Sequence, residues 1–194
     1  MAASQPAAAP KQLTRKAAAA LYNSQLRRNL GWFLQYADLR INGTGSERTL
    51  EGALFLSTNL AFVVAGGAFS GVGHAPAIGL MCDLAGTFSI WYHWEQCRLG
   101  GTKHPSVQLA MLFDYALAIP TVCVGLLYAA SLGPDLPISA VVLSALAFSS
   151  LVAGWFYDKP RQYMLVHGLW HLFGAAAGVQ LAQATEGIST LTGM

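Results

Sequence analysis

Charge is what this sequence has least of. Charged residues make up 10% of its 194 positions, where soluble domains carry roughly 25%. That shortage excludes an ordinary water-soluble globular domain. Apolar residues at 54% and a mean hydropathy of +0.44 identify a polytopic membrane protein instead. Cysteine is scarce too. Cys82, Cys97 and Cys123 are an odd set without CxxC spacing, all inside apolar runs, which indicates neither a disulfide framework nor a zinc knuckle and leaves the redox compartment open. A net charge of +2 points to no nucleic-acid or acidic partner.

Acidic residues are missing before Asp38, whereas Lys11, Arg15, Lys16, Arg27 and Arg28 supply positive charge. Leu13, Ala17, Leu21, Leu26, Leu30 and Phe33 recur near helical spacing between them. Residues 1–49 therefore read either as an amphipathic helix lying on a membrane surface or as a targeting peptide. Asn42 to Thr44 form a glycosylation sequon that arises readily by chance, and the topology argues against its use.

From Leu50 the chain becomes a series of runs of about 20 residues, the length that crosses hydrocarbon as a helix. Five spans are expected: Leu50 to Phe69, Ala77 to Cys97, Val107 to Leu132, Ile138 to Phe156 and Gln162 to Ala184. Short separators rich in Gly and Pro leave no room for a soluble domain, and residues 185–194 remain as a short tail. The runs are continuous rather than alternating, which excludes a transmembrane barrel. The fold class is thus an all-α, polytopic transmembrane helix bundle. With five spans, all 11 Lys and Arg residues fall on one side. The distribution places the N-terminus inside and the C-terminus outside, in a membrane left open, with the endomembrane system or plasma membrane ahead of an imported organelle.

Ionisable groups inside a bilayer need a partner or a task. They are Asp83 and His93 on span 2, Asp114 on span 3, and His167 and His171 on span 5. Helical spacing puts Ser89 on the face of His93, and His167 on that of His171. Counted from the basic side, His93, Asp114, His167 and His171 lie roughly 6 to 14 Å deep. Three histidines and a carboxylate from three helices can therefore meet in one layer. Three neutral imidazoles with an open fourth position are the usual ligands of a catalytic zinc, which lowers the pKa of water to about 7. On this reading His93, His167 and His171 hold Zn2+. Asp114 orients a histidine or serves as base, and Ser89 donates to water or an oxyanion. Asp83 lies about 15 Å further along its helix and is left out, with Asn59 or a span 1 backbone group as its expected partner. Trp91, Tyr92, Trp94 and Trp170 read as belt and packing residues. His74 and His104 read as solvated loop residues.

"FSIWYHWEQC", then "LFDYALAIP", and finally "LVHGLWHLF" resemble the SxxxH, Asp and HxxxH signatures of the CREST membrane hydrolase superfamily. That superfamily includes alkaline ceramidases and the progestin and adiponectin receptors. "LFLSTNLAFVVA" in span 1 is similar to the first helix of the branch that contains myomaker. The resemblance covers spans 1, 2, 3 and 5. It implies a zinc site at His93, His167 and His171 beside Ser89 and Asp114, and hydrolysis of an amide or ester bond of a lipid. The family has seven helices, and the pair without a counterpart falls between span 3 and the HxxxH helix.

Two further classes stay open. One is a membrane scaffold, receptor-like or accessory subunit of the same fold, without catalysis. The other is a haem-binding electron-transfer protein with histidines as axial ligands, which leaves Ser89 and Asp114 without a role. Expected partners are the bilayer and a membrane lipid, as substrate or ligand, with an oligomer or partner subunit completing the wall.

Overall fold

A computed structural model describes residues 45–100, 104–157 and 159–192. The expectations for the basic N-terminal segment through residue 44, its sequon and Lys103 lie outside the described residues.

Five helices follow one another, and no strand occurs among the described residues. Helix α1 (Leu50–Ser70) starts at Thr49, whose hydroxyl accepts the amide of Gly52 at 3.1 Å, a serviceable N-cap. It tightens at Asn59, where Asn59 N reaches Leu56 O at 3.3 Å and Phe62 N reaches Asn59 O at 3.1 Å, the i to i+3 pattern of a 3-10 turn. Helix α2 (Pro76–Leu99) begins on proline and stops at Gly100, which takes the left-handed conformation at φ 72°, a helix-ending geometry that glycine adopts freely. Helix α3 (Pro105–Ser131) also begins on proline, after a His104 cap. Helix α4 (Ile138–Gly154) follows Pro137, and α5 (Pro160–Thr192) closes the chain.

Three of these, Leu50–Ser70, Pro105–Ser131 and Pro160–Thr185, are long and apolar enough to cross a membrane. The chain therefore has the architecture of a membrane protein. Two expected spans fall short of that measure. Helix α4 has 17 residues, and α2 is long enough but carries Asp83, His93, Glu95 and Arg98. The residues expected to form a tail continue α5 as helix to Thr192. Hydropathy ends where the run turns polar, but backbone hydrogen bonding does not.

The helices pack in an arc, with α2 between α3 and α1, and α5 between α1 and α4. Without a hydrophobic drive between helices in lipid, close backbone approach at small residues does the holding. A Cβ on Gly79 would stand 2.6 Å from the Gly66 carbonyl oxygen, and one on Gly66 would stand 2.8 Å from that of Gly79. Gly168 and Gly178 of α5 face α1 less tightly, where an added Cβ would stand 3.3 Å from Thr58 Cγ2 and from Ala65 Cβ. One buried cluster, Phe55, Cys97, Tyr163 and Met164, marks the end where α1 and α5 begin. There the Ser46 hydroxyl donates to Cys97 O at 3.1 Å, and Arg161 pairs with Glu51 at 3.1 Å. A second cluster around Phe69, Cys82, Leu132, Ala140 and Leu181 fills the other end. Tyr128 and Thr185 are hydrogen-bonded beside it.

Candidate metal centre

Helical periodicity builds the site between these two clusters. On α2, Ser89 and His93 are four apart and both buried; on α5, Tyr163, His167 and His171 repeat at the same interval and are buried too. The α1–α5 seam at Gly168 brings the third element in, placing Phe55 and Thr58 against the histidine face.

The three histidines converge. His93, His167 and His171 each offer a ligand nitrogen, and these nitrogens lie within 4.8 Å of one another. Their ring centroids are 5.0 Å apart for His93 and His167, 5.2 Å for His93 and His171, and 4.8 Å for His167 and His171. Phe55 caps the group, 4.7 Å from the ring of His93 and stacked 5.9 Å from that of His171. Tyr163 stacks on His167 at 5.0 Å.

Two rings are held by hydrogen bonds from outside the cluster. His93 Nδ1 lies 2.9 Å from Gln96 Oε1, and His171 Nδ1 lies 2.9 Å from Thr58 Oγ1. The remaining polar edges are less satisfied. His93 Nε2 and His167 Nδ1 are buried without a hydrogen-bond partner, a condition that native interiors seldom tolerate. His167 Nδ1 faces Gly154 of α4, where an added Cβ would stand 3.9 Å away.

A zinc ion suits this donor set. Zn–N bonds of about 2.0–2.1 Å in tetrahedral geometry require nitrogens about 3.4 Å apart. The nitrogens here lie within 4.8 Å of one another, up to about 1.4 Å wider than that ideal. The ligand atoms are imidazole nitrogens on two helices, and two of the ring nitrogens of these histidines have no hydrogen-bond partner.

Asp114 and Ser89 meet as well, but as a pair beside the histidines rather than as members of the ligand group. Ser89 lies beside the Asp114 carboxyl group, whose Oδ1 is buried without a hydrogen-bond partner. Tyr163, stacked on His167, lies within electrostatic reach of Asp114.

The other polar residues resolve differently. Asp83 is half-buried against Gly66 of α1, its Oδ1 lacking a hydrogen-bond partner. Asn59, one of its two expected partners, instead donates to Leu56 O at 3.1 Å. Of the four aromatics expected as belt and packing residues, Tyr92 packs in the core, 1% exposed. Trp91 packs on Phe88 and Phe113, and Trp94 is exposed. His74 and His104 are exposed, and His104 caps α3 by accepting from Ser106 N. All three cysteines are free thiols outside the histidine cluster.

Sequence reasoning missed Phe55, Thr58, Gln96 and Tyr163. Gln96 sits three residues after His93 and Tyr163 four before His167, so a search along each helix face would have found both. Phe55 and Thr58 carry no local signal, because their relation to His171 spans 113 positions for Thr58.

A cavity of about 400 Å³ opens beside the centre, lined by residues of all five helices, among them Phe62, Cys82, Leu126, Phe148 and Trp170. Its wall is almost wholly apolar. Phe62, one of its lining residues, has its ring 5.8 Å from that of His171. Compared with known proteins, the chain matches no family model, no curated protein and no solved structure.

Proposed function

We propose that the chain is a zinc-dependent membrane hydrolase acting on an amide or ester bond of a membrane lipid. The observation that carries this reading is the convergence of three buried imidazoles from two helices, with a bare ring nitrogen among them. Bound zinc supplies a Lewis acid for a carbonyl oxygen and brings the acidity of water near neutrality. Asp114 accepts a proton through its unpartnered Oδ1, with Ser89 beside that carboxyl group. Phe55 keeps bulk water off the histidine rings. The apolar cavity, within the 300–1,000 Å³ range of ligand pockets, receives an alkyl chain, with Phe62 of its lining beside His171.

The basic residues favour five crossings with the N-terminus inside and the C-terminus outside, in an endomembrane or the plasma membrane. In that arrangement the centre lies toward the basic face, near the lipid headgroups where such bonds occur. The close packing of the three rings leaves no slot for a porphyrin among them, which argues against haem. A non-catalytic subunit with a structural metal draws support from one observation, the position of Asp114 outside the ligand group.

The test is fatty-acid release from a mixed lipid extract by the purified chain in proteoliposomes, followed by mass spectrometry. Release that disappears with chelator, with His171→Ala and with Asp114→Asn is expected. Zinc-loaded protein that releases nothing, or release indifferent to these changes, speaks for the non-catalytic reading.

A further inference from the structure

The outer edges of the histidines fix what their inner edges can do. Thr58 Oγ1 lies 2.6 Å from Phe55 O. A carbonyl oxygen can only accept, so the single hydroxyl proton of Thr58 is committed there. The same oxygen lies 2.9 Å from His171 Nδ1. With its proton used, it offers that ring only a lone pair, and His171 Nδ1 must carry the hydrogen. At His93 the partner is Gln96 Oε1, 2.9 Å from Nδ1. An amide oxygen is likewise an acceptor only, so His93 Nδ1 is also protonated.

A neutral imidazole has one ring proton. Both rings therefore have a bare Nε2, which accounts for the unpartnered Nε2 of His93. A purely structural histidine cluster would alternate donors and acceptors so that the rings bond to one another. Here two of the three rings are held in the same sense, as acceptors. Two acceptors cannot satisfy each other, but both can bind one cation.

We infer that Gln96 and Thr58 are positioning residues that lock His93 and His171 as Nδ1–H tautomers, presenting two Nε2 lone pairs to a single metal ion. The inference rests on the metal reading above, although its first observable does not. Thr58 can do this because it sits where α1 tightens at Asn59 and crosses α5 at Gly168, whose Cβ would stand 3.3 Å from Thr58 Cγ2. Gln96 can do it because it lies one turn beyond His93 and is fully buried.

The first measurement is a long-range 1H–15N correlation spectrum of the full-length, chelator-treated protein carrying 15N-histidine. Protonated Nδ1 and pyridine-type Nε2 on both His93 and His171 are expected, and a protonated Nε2 on either ring overturns the assignment. The second is zinc affinity by competition with a chromophoric chelator. Gln96→Leu and Thr58→Val each weaken binding by about 10- to 100-fold, whereas Gln96→Glu and Thr58→Ser, which keep an acceptor, bind within a few-fold of wild type. Wild-type affinity in both apolar variants overturns the positioning role, and failure of both conservative variants to rescue it does so as well. A wild-type protein that shows both tautomers but takes up no zinc defeats the metal reading and leaves the tautomer assignment standing.

Discussion

His167 is the least supported ring of the three. Its Nδ1 is buried with no partner, while His93 and His171 are each held by a hydrogen bond. Outer partners of metal-binding histidines are worth about 10- to 100-fold in affinity, so this edge is the place where the centre can be improved. A Cβ at Gly154 would meet only ordinary contacts, 3.9 Å from His167 Nδ1 and from the Tyr163 ring. Gly154→Ser is expected to bring a hydroxyl within reach of Nδ1 and to tighten zinc binding several-fold in chelator competition, whereas Gly154→Ala leaves it unchanged. At the Asp114 carboxyl group, Ser89→Ala removes the neighbour of an already under-satisfied buried group. That loss is expected to cost about 1–3 kcal/mol, read as a lower unfolding midpoint in detergent. The histidines themselves were legible in the sequence, because an ionisable residue in a bilayer stands out and its depth follows from counting. Gln96 and Thr58 were not. A glutamine near a helix end and a threonine in an apolar run are ordinary, and only the crossing of α1 over α5 gives them their task.

At the scale of the helix, the seams decide stability. Gly66 and Gly79 face each other's carbonyl oxygens across α1 and α2, at separations no real Cβ tolerates. Gly66→Ala and Gly79→Ala must push the two backbones apart, at about 1–3 kcal/mol each. Gly67→Ala and Gly125→Ala meet nothing within 4 Å and are expected to unfold like wild type in the same thermal scan. Equal loss at all four positions would mean that close approach is not what holds α1 to α2. Helix ends were legible to within a few residues, except the end of α5, which runs on from the expected Ala184 to Thr192. Helices α2 and α3 start a little earlier than their apolar runs because proline suits a first turn, and α5 outlasts its run because polar residues extend a helix as readily as apolar ones. The seams were less legible, since a glycine at an interface and a glycine facing lipid read alike.

For the whole molecule, the arc of five helices leaves α3 and α4 as flanks around the apolar cavity. Three helices satisfy length and composition for crossing a membrane. The crossing of α2 and α4 is a matter for experiment. Single cysteines at Asp135 and at Lys159, in a chain whose native cysteines are replaced, are expected to react with an impermeant thiol reagent from opposite sides of sealed vesicles. Labelling from the same side would remove α4 as a crossing. The class of the molecule was the most legible feature of all, because a shortage of charge is a property of the entire chain. The open arc was not, since apolar runs give the number of helices but not which ones touch.

The account turns on whether three histidines hold one metal. Elemental analysis of the full-length protein, purified without chelator and compared with His93→Ala, His167→Ala and His171→Ala, measures that directly. One zinc per chain in the wild type, falling to a small fraction in each variant while the helical signal is retained, is the predicted result. Wild-type protein without stoichiometric metal, or variants that keep it, would contradict the account.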